Sequence, residues 1–222
     1  MAVAAAKPTF GCLITLLALL GASTGAVAGG VAGRVSTPDG EAVADAVITA
    51  VPAGGGPTLA KPGAKAVMIQ EGKQFIPFVL AVQAGTTVDF PNHDSFRHQV
   101  YSFSTAKTFE LKLYGSGEIG SVVFDKPGPV PVGCNIHDNM LAYVYVAPGP
   151  HFATTAKDGA AQIKGLPPGK YTVSAWHPNL RGQAPEQDVT VGADGNVEVK
   201  IEMRLKNGRG QRKPGAFDEK AY

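Results

Sequence analysis

Gly133-Cys134-Asn135-Ile136-His137-Asp138-Asn139-Met140 sets a thiol, an imidazole and a thioether at three-residue intervals. That spacing lets one tight turn point all three at a common centre. A second imidazole, His98, opens the strand-like run His98-Gln99-Val100-Tyr101 upstream, so a fourth donor can arrive from elsewhere in a sheet. Strand-like segments lie on both sides of the loop, from Val130 to Cys134 and from Leu141 to Val146.

Outward from this stretch the chain keeps the same texture. Val31 to Val35 and Ala46 to Val51 are β-rich runs separated by the turn Thr37-Pro38-Asp39-Gly40. Pro52 to Lys65 is rich in Gly, Pro and Ala, lacks periodicity and reads as a linker. Further strands are expected around Phe75 to Val82, Thr86 to Phe90, Phe109 to Leu113 and Ser121 to Phe124. Phe109, Leu111 and Leu113 alternate with polar residues, as one face of a sheet does. After Pro148-Gly149-Pro150, Tyr171, Val173 and Ala175 alternate with polar partners. So do Val197, Val199, Ile201, Met203 and Leu205, the cleanest half-buried strand of the chain. No helical period is sustained and no internal repeat is present. With 28 Gly, 17 Pro and only 17% charged residues in 222, the composition suits a turn-rich, all-β protein.

The formal net charge of +2 excludes the basic stripe of a nucleic-acid binder. Residues 1–28 read as a signal peptide: Lys7 supplies the positive flank, Phe10 to Leu20 the apolar core, and Ala26-Val27-Ala28 the cleavage pattern. The apolar run is short for a membrane anchor, so the mature chain is expected in the periplasm or outside the cell, with no transmembrane segment. Cleavage there removes Cys12 and leaves Cys134 as a single thiol, which excludes an internal disulfide. Lys206 to Tyr222 has little to bury and is expected to form a disordered tail.

Two imidazoles, one thiolate and a weak thioether form the donor set of a blue-copper electron-transfer site. A trigonal set of this kind suits both Cu(I) and Cu(II), so little moves when an electron passes. Other readings of the same residues exist. Cys-x2-His can be half of a zinc site, but those recruit further thiols or a second close pair. Cys134 paired with a histidine can be a nucleophile, or it can be an inert core thiol; both leave Met140 and His98 without a purpose. His93, in a loop five residues before His98, is the weaker candidate ligand. His151 and His177 are expected on the surface or in a sandwich, Trp176 in a sandwich core, and Tyr143 and Tyr145 packed on a strand.

The segment from about Val67 to Val146 resembles the cupredoxins, and most of all their short-loop, amicyanin-like and methylamine-utilisation-type members. The resemblance is carried by Val88-Asp89-Phe90-Pro91-Asn92-His93-Asp94, His98-Gln99-Val100 and the loop from Gly133 to Met140. It implies a Greek-key β-sandwich and one type 1 copper ion, with His98, Cys134, His137 and Met140 as the ligands. The loop has the amicyanin length, shorter than in plastocyanins. Gln99 departs from the Asn common after the first histidine, whose backbone N–H faces the thiolate and whose side chain braces the ligand loop. By resemblance, His137 is the exposed edge for electron passage, ringed by apolar residues such as Met140 and Leu141.

A second resemblance covers the flanks. The Gly-x-Val opening, the Pro-Asp-Gly turn and the Ala46-Val47 run are similar to the start of a carboxypeptidase regulatory-like (transthyretin-like) sandwich. Asp158-Gly159 and Leu166-Pro167-Pro168-Gly169-Lys170-Tyr171 are similar to its second half. The expected organisation is a sandwich split into 29–55 and 150–205 by a cupredoxin domain at 64–148, inserted in it or packed beside it.

The leading functional expectation is a one-electron carrier with transient redox protein partners. The alternatives are a copper-binding or delivery protein with the same ligands, and a structural or adhesive sandwich with a vestigial copper domain. An enzyme is not expected: multicopper oxidases and nitrite reductases need more histidines, and this chain has five.

Overall fold

A computed structural model describes residue 1 and residues 29–56 and 58–206. Residues 2–28, where a signal peptide and Cys12 were expected, and residues 207–222 of the expected tail lie outside the described residues. No α-helix occurs among the described residues, and none there is long and apolar enough to cross a membrane.

Among the described residues, seventeen strands form five sheets. Two sheets are made by strands from the two ends of the chain. β1 (Gly29–Ser36) lies between β14 (Ala160–Leu166), antiparallel, and β17 (Asn196–Glu202), parallel. β2 (Val47–Pro52) lies between β13 (Phe152–Thr154) and β15 (Gly169–Trp176), and β15 also pairs with β16 (Glu186–Val191). Their apolar faces meet in one core: Val31 and Val35 from β1, Ile48 from β2, Val173 from β15, Val199 and Ile201 from β17. The period-2 alternation dictates this, because every second side chain of a strand shares a face. Val199, Ile201, Met203 and Leu205 are all buried, as the alternation predicts.

The same parity corrects the expectation for Trp176. On β15, Tyr171, Val173 and Ala175 turn inward, so Trp176 faces the other way and is only half-buried. It stacks at 4.9 Å on Tyr145 and meets Tyr143 edge-on at 5.9 Å, joining this sandwich to the strands of the middle segment.

The middle segment builds the other three sheets around a separate core. β3 (Lys65–Val67), β7 (Thr86–Pro91) and β10 (Ile119–Phe124) form one. β6 (Val79–Gln83), β12 (Leu141–Ala147), β11 (Gly128–Gly133), β8 (Tyr101–Phe103) and β9 (Thr108–Glu110) form the second, in that order. β4 (Ile69–Glu71) and β5 (Gln74–Ile76) make a hairpin. Phe75, Phe90, Phe124, Val132, Val144 and Met140 fill the interior. Each fully buried aromatic contributes about 1.5–3 kcal/mol relative to exposure.

Two local expectations change. The stretch expected as a linker from Pro52 begins with the last residue of β2, and its described residues are tied down: Thr58 N–H donates to Pro148 O at 2.7 Å, Ala60 N–H to Ala84 O at 2.7 Å, and Gln83 Nε2 to Thr58 O at 3.0 Å. Its last residue already begins β3. The strand expected from Phe109 to Leu113 stops at Glu110. Tyr101 pairs with Glu110, yet His98 pairs with Tyr114, so the 111–114 side carries one extra residue. Such a bulge breaks the alternation and leaves Leu113 43% exposed.

Candidate metal centre

The loop Cys134–Met140 joins β11 to β12, which pair antiparallel and close its mouth at Gly133↔Leu141. Inside the loop Met140 N–H donates to His137 O at 3.0 Å, and Leu141 N–H to Asn139 O at 3.1 Å. The ring of Tyr101 lies over Gly133, where a Cβ would stand 3.1 Å from it. Cys134 is buried, 4% exposed.

His98 arrives from the other side of the bulge. Its N–H and C=O exchange two hydrogen bonds with Tyr114, each 3.0 Å. His98 is fully buried. Cys134 Sγ lies 3.9 Å from His98 Nδ1 and 3.8 Å from His137 Nδ1. One ligand atom from each of His98, Cys134 and His137 lies within 4.8 Å of the others. The two imidazoles meet edge-on at 4.9 Å. His137 is partly exposed. Burial first, then the neighbouring His98 and Lys73, hold its imidazole below the ordinary value, against an opposing pull from Asp94. Met140 is 2% exposed and packs in the core that also holds Cys134. His93 is exposed and stands outside the cluster.

The backbone N–H of Gln99 points at Cys134 Sγ from 3.5 Å, a contact that favours a thiolate over a thiol. The Gln99 side chain, however, goes to Glu110 Oε1 at 2.7 Å. It does not brace the ligand loop, because the longer side chain follows the sheet outward.

Sequence reasoning missed the groups that hold His98. Asp94 Oδ2 accepts from His98 Nε2–H at 2.7 Å. A carboxylate can only accept, so His98 donates to it through Nε2–H, and Nδ1 is the ring nitrogen that faces Cys134. Burial pulls the Asp94 carboxyl upward, but the Lys73 N–H, the His98 ring and the Gly72 N–H outweigh it and keep it below the ordinary carboxylate value. Asn92, fully buried, accepts from Asp94 N–H at 2.9 Å and donates to Phe96 O at 2.8 Å, which locks the loop in place. Phe96 packs 5.1 Å from the His98 ring and 5.5 Å from His137. Phe96, which packs on His137, is exposed, as are Ile136 and Leu141, whereas Met140, expected in an apolar ring around His137, is buried. An Asp four residues before a candidate histidine was the available signal.

The centre is a soft, mostly buried set of two imidazole nitrogens and one sulfur, joined by no further His, Cys, Asp or Glu among the described residues. Comparison with known proteins bears on parts of the chain. The family model for domain II of polysaccharide lyase family 4 matches residues 140–199. Curated proteins give no match. Among solved structures, the chain is similar to the Cu-containing nitrite reductase of Thermus scotoductus SA-01, with 28% identity over 42% of this chain and a TM-score of 0.37. It spans only 26% of that enzyme. It is also similar to the purple cupredoxin of Nitrosopumilus maritimus, at 23% identity over 38% of this chain and 99% of that one, TM-score 0.33. Amicyanin of Paracoccus versutus aligns at 20% identity over 45% of this chain and 96% of that one, TM-score 0.35.

Proposed function

We propose that the chain is an exported type 1 copper protein that carries one electron at a time and makes or breaks no substrate bond. One observation carries this reading: one ring nitrogen from each of two imidazoles and one buried sulfur converge within 4.8 Å. A first-row metal about 2.0–2.1 Å from nitrogen and about 2.3 Å from sulfur, in a trigonal plane, separates nitrogen from sulfur by about 3.8 Å. The two separations here are 3.9 and 3.8 Å. A copper ion at this place supplies the one-electron couple.

The residues supply everything else. Cys134 and the two imidazoles offer three strong donors, Met140 a weak fourth, and Gln99 N–H stabilises the sulfur anion. Cys134, His98 and Met140 are buried, which keeps water from the donors. The hydrogen-bonded turn and the Asp94–His98 pair hold the donors still, so oxidation and reduction meet the same geometry. His137, together with the exposed Phe96, Ile136 and Leu141, is the face for transient redox partners; the near-neutral chain gives them little electrostatic steering.

In the same reading residues 1–28 direct export to the periplasm or beyond, residues 64–148 form the copper domain, and 29–55 with 150–205 form one carboxypeptidase regulatory-like sandwich interrupted by it. The ladders of β1 and β2 with β13 to β17 support that division. The test is a titration of the metal-free protein with Cu(II). An intense thiolate-to-copper absorption band, saturating at one equivalent, is expected. No band, with the Cys134 thiol still free to react, overturns the reading.

A further inference from the structure

Asp94 faces three donors. His98 Nε2–H and the backbone N–H of Lys73 reach Oδ2, at 2.7 and 3.0 Å, and the N–H of Gly72 reaches Oδ1 at 2.7 Å. Gly72 and Lys73 are the two residues that turn β4 into β5, and both have positive φ, 59° and 55°. That is the backbone of a two-residue hairpin turn with both central residues left-handed. A lysine in this conformation is uncommon and strained. Here the turn aims two adjacent N–H groups at one carboxylate. The Lys73 ammonium also lies 5.7 Å over the ring of Phe96, which touches both imidazoles.

We propose that the tip of the β4–β5 hairpin, Gly72–Lys73, is a positioning element for His98: it clamps Asp94, and Asp94 fixes the rotation and tautomer of the imidazole. This rests on the reading of His98 as a ligand only for its consequence at the metal; the clamp itself is a property of the metal-free chain. Three donors need a group that only accepts, with two oxygens. Asn has one acceptor oxygen and a donating NH2, so an isosteric Asp94→Asn change must abandon at least one partner. The hairpin is far in sequence from every candidate ligand, yet its backbone sets where the Nδ1 lone pair points.

The experiment uses the full-length, metal-free protein, labelled with 15N. Long-range imidazole correlations read the His98 tautomer, and amide exchange reads the Gly72 and Lys73 N–H groups. In the wild type we expect the Nε2–H tautomer and two slowly exchanging turn amides. An Nδ1–H tautomer, or amides exchanging like free peptide, overturns the proposal without any variant. In Asp94→Asn at least one turn amide should exchange at least about tenfold faster, and Cu(II) affinity should fall about 10–100-fold, the usual cost of losing such a partner. A folded Asp94→Asn protein with unchanged tautomer, exchange and affinity overturns it. Lys73→Gly keeps the N–H, tolerates the φ and removes the ammonium, so it should preserve the tautomer. Loss of the tautomer there assigns the effect to the side chain and refutes a backbone clamp. If the wild type shows the clamp but develops no thiolate-to-copper band, the copper reading fails while the clamp stands.

Discussion

His177 gives a pH dependence whose size follows from the structure. It is 4% exposed, on the chain segment that leaves β15, and its Nδ1 accepts the Asn179 N–H at 3.1 Å. Burial pushes its pKa down from 6.5 to about 4. The fold prefers the neutral ring, while the unfolded chain takes up a proton once the pH drops below about 6.5. Stability from this group is therefore complete above neutral pH and declines as the pH falls from 6.5 toward 4. Linkage gives a loss of about 2 kcal/mol at pH 5 and about 3 kcal/mol by pH 4. The perturbation is His177→Asn, whose Oδ1 can replace the Nδ1 acceptor without titrating. Urea unfolding of both proteins, followed by circular dichroism at intervals from pH 8 to pH 4.5, isolates the term. His137 and His151 also titrate with lowered values, but they are common to both proteins and cancel. The difference in stability between wild type and variant should shift by about 2 kcal/mol between pH 8 and pH 5 in the variant's favour. A difference constant within about 0.5 kcal/mol refutes the reasoning, because neighbouring error sources are of that size.

Two further outcomes follow from the seam and from the loop. Trp176→Ala removes two aromatic pairs between the cores and should cost about 1–3 kcal/mol from those pairs alone; it should also split urea unfolding into two steps, and a single unshifted transition contradicts the contact. Met140→Leu conserves volume and should change stability by less than about 1.5 kcal/mol, against about 2–5 for Met140→Ala. The copper-loaded Leu variant should keep its visible band with a shifted reduction potential, and an unmoved potential removes Met140 from the ligand set.

The parts of the fold legible in the sequence are those set by neighbours in the chain. The alternation from Val197 to Leu205 shows which side of β17 faces inward, and the three-residue rhythm of Cys134, His137 and Met140 survives into one turn because that turn is local. Trp176 shows the opposite case. Its hydrophobicity suggests a core position, but strand parity turns it outward and only the packing of β12 against β15 gives it a neighbour. Leu113 continues an alternating pattern that one extra residue interrupts, since the His98–Tyr114 pairing outweighs the register of β9. Asp94 is visible as a residue but not as a clamp: its partners Gly72 and Lys73 lie 22 and 21 positions away and contribute backbone N–H groups, which carry no side-chain signal. Gln99 divides between the two cases. Its N–H position could be inferred from the pattern around His98, but the destination of its side chain depended on where Glu110 stood.

X-ray absorption at the copper edge of the loaded protein tests the central claim most directly. One sulfur at about 2.3 Å and two nitrogens at about 2.0 Å around a single copper are expected, with the sulfur contribution lost in Cys134→Ser. A copper bound by nitrogen and oxygen alone, with the thiol left free, contradicts it.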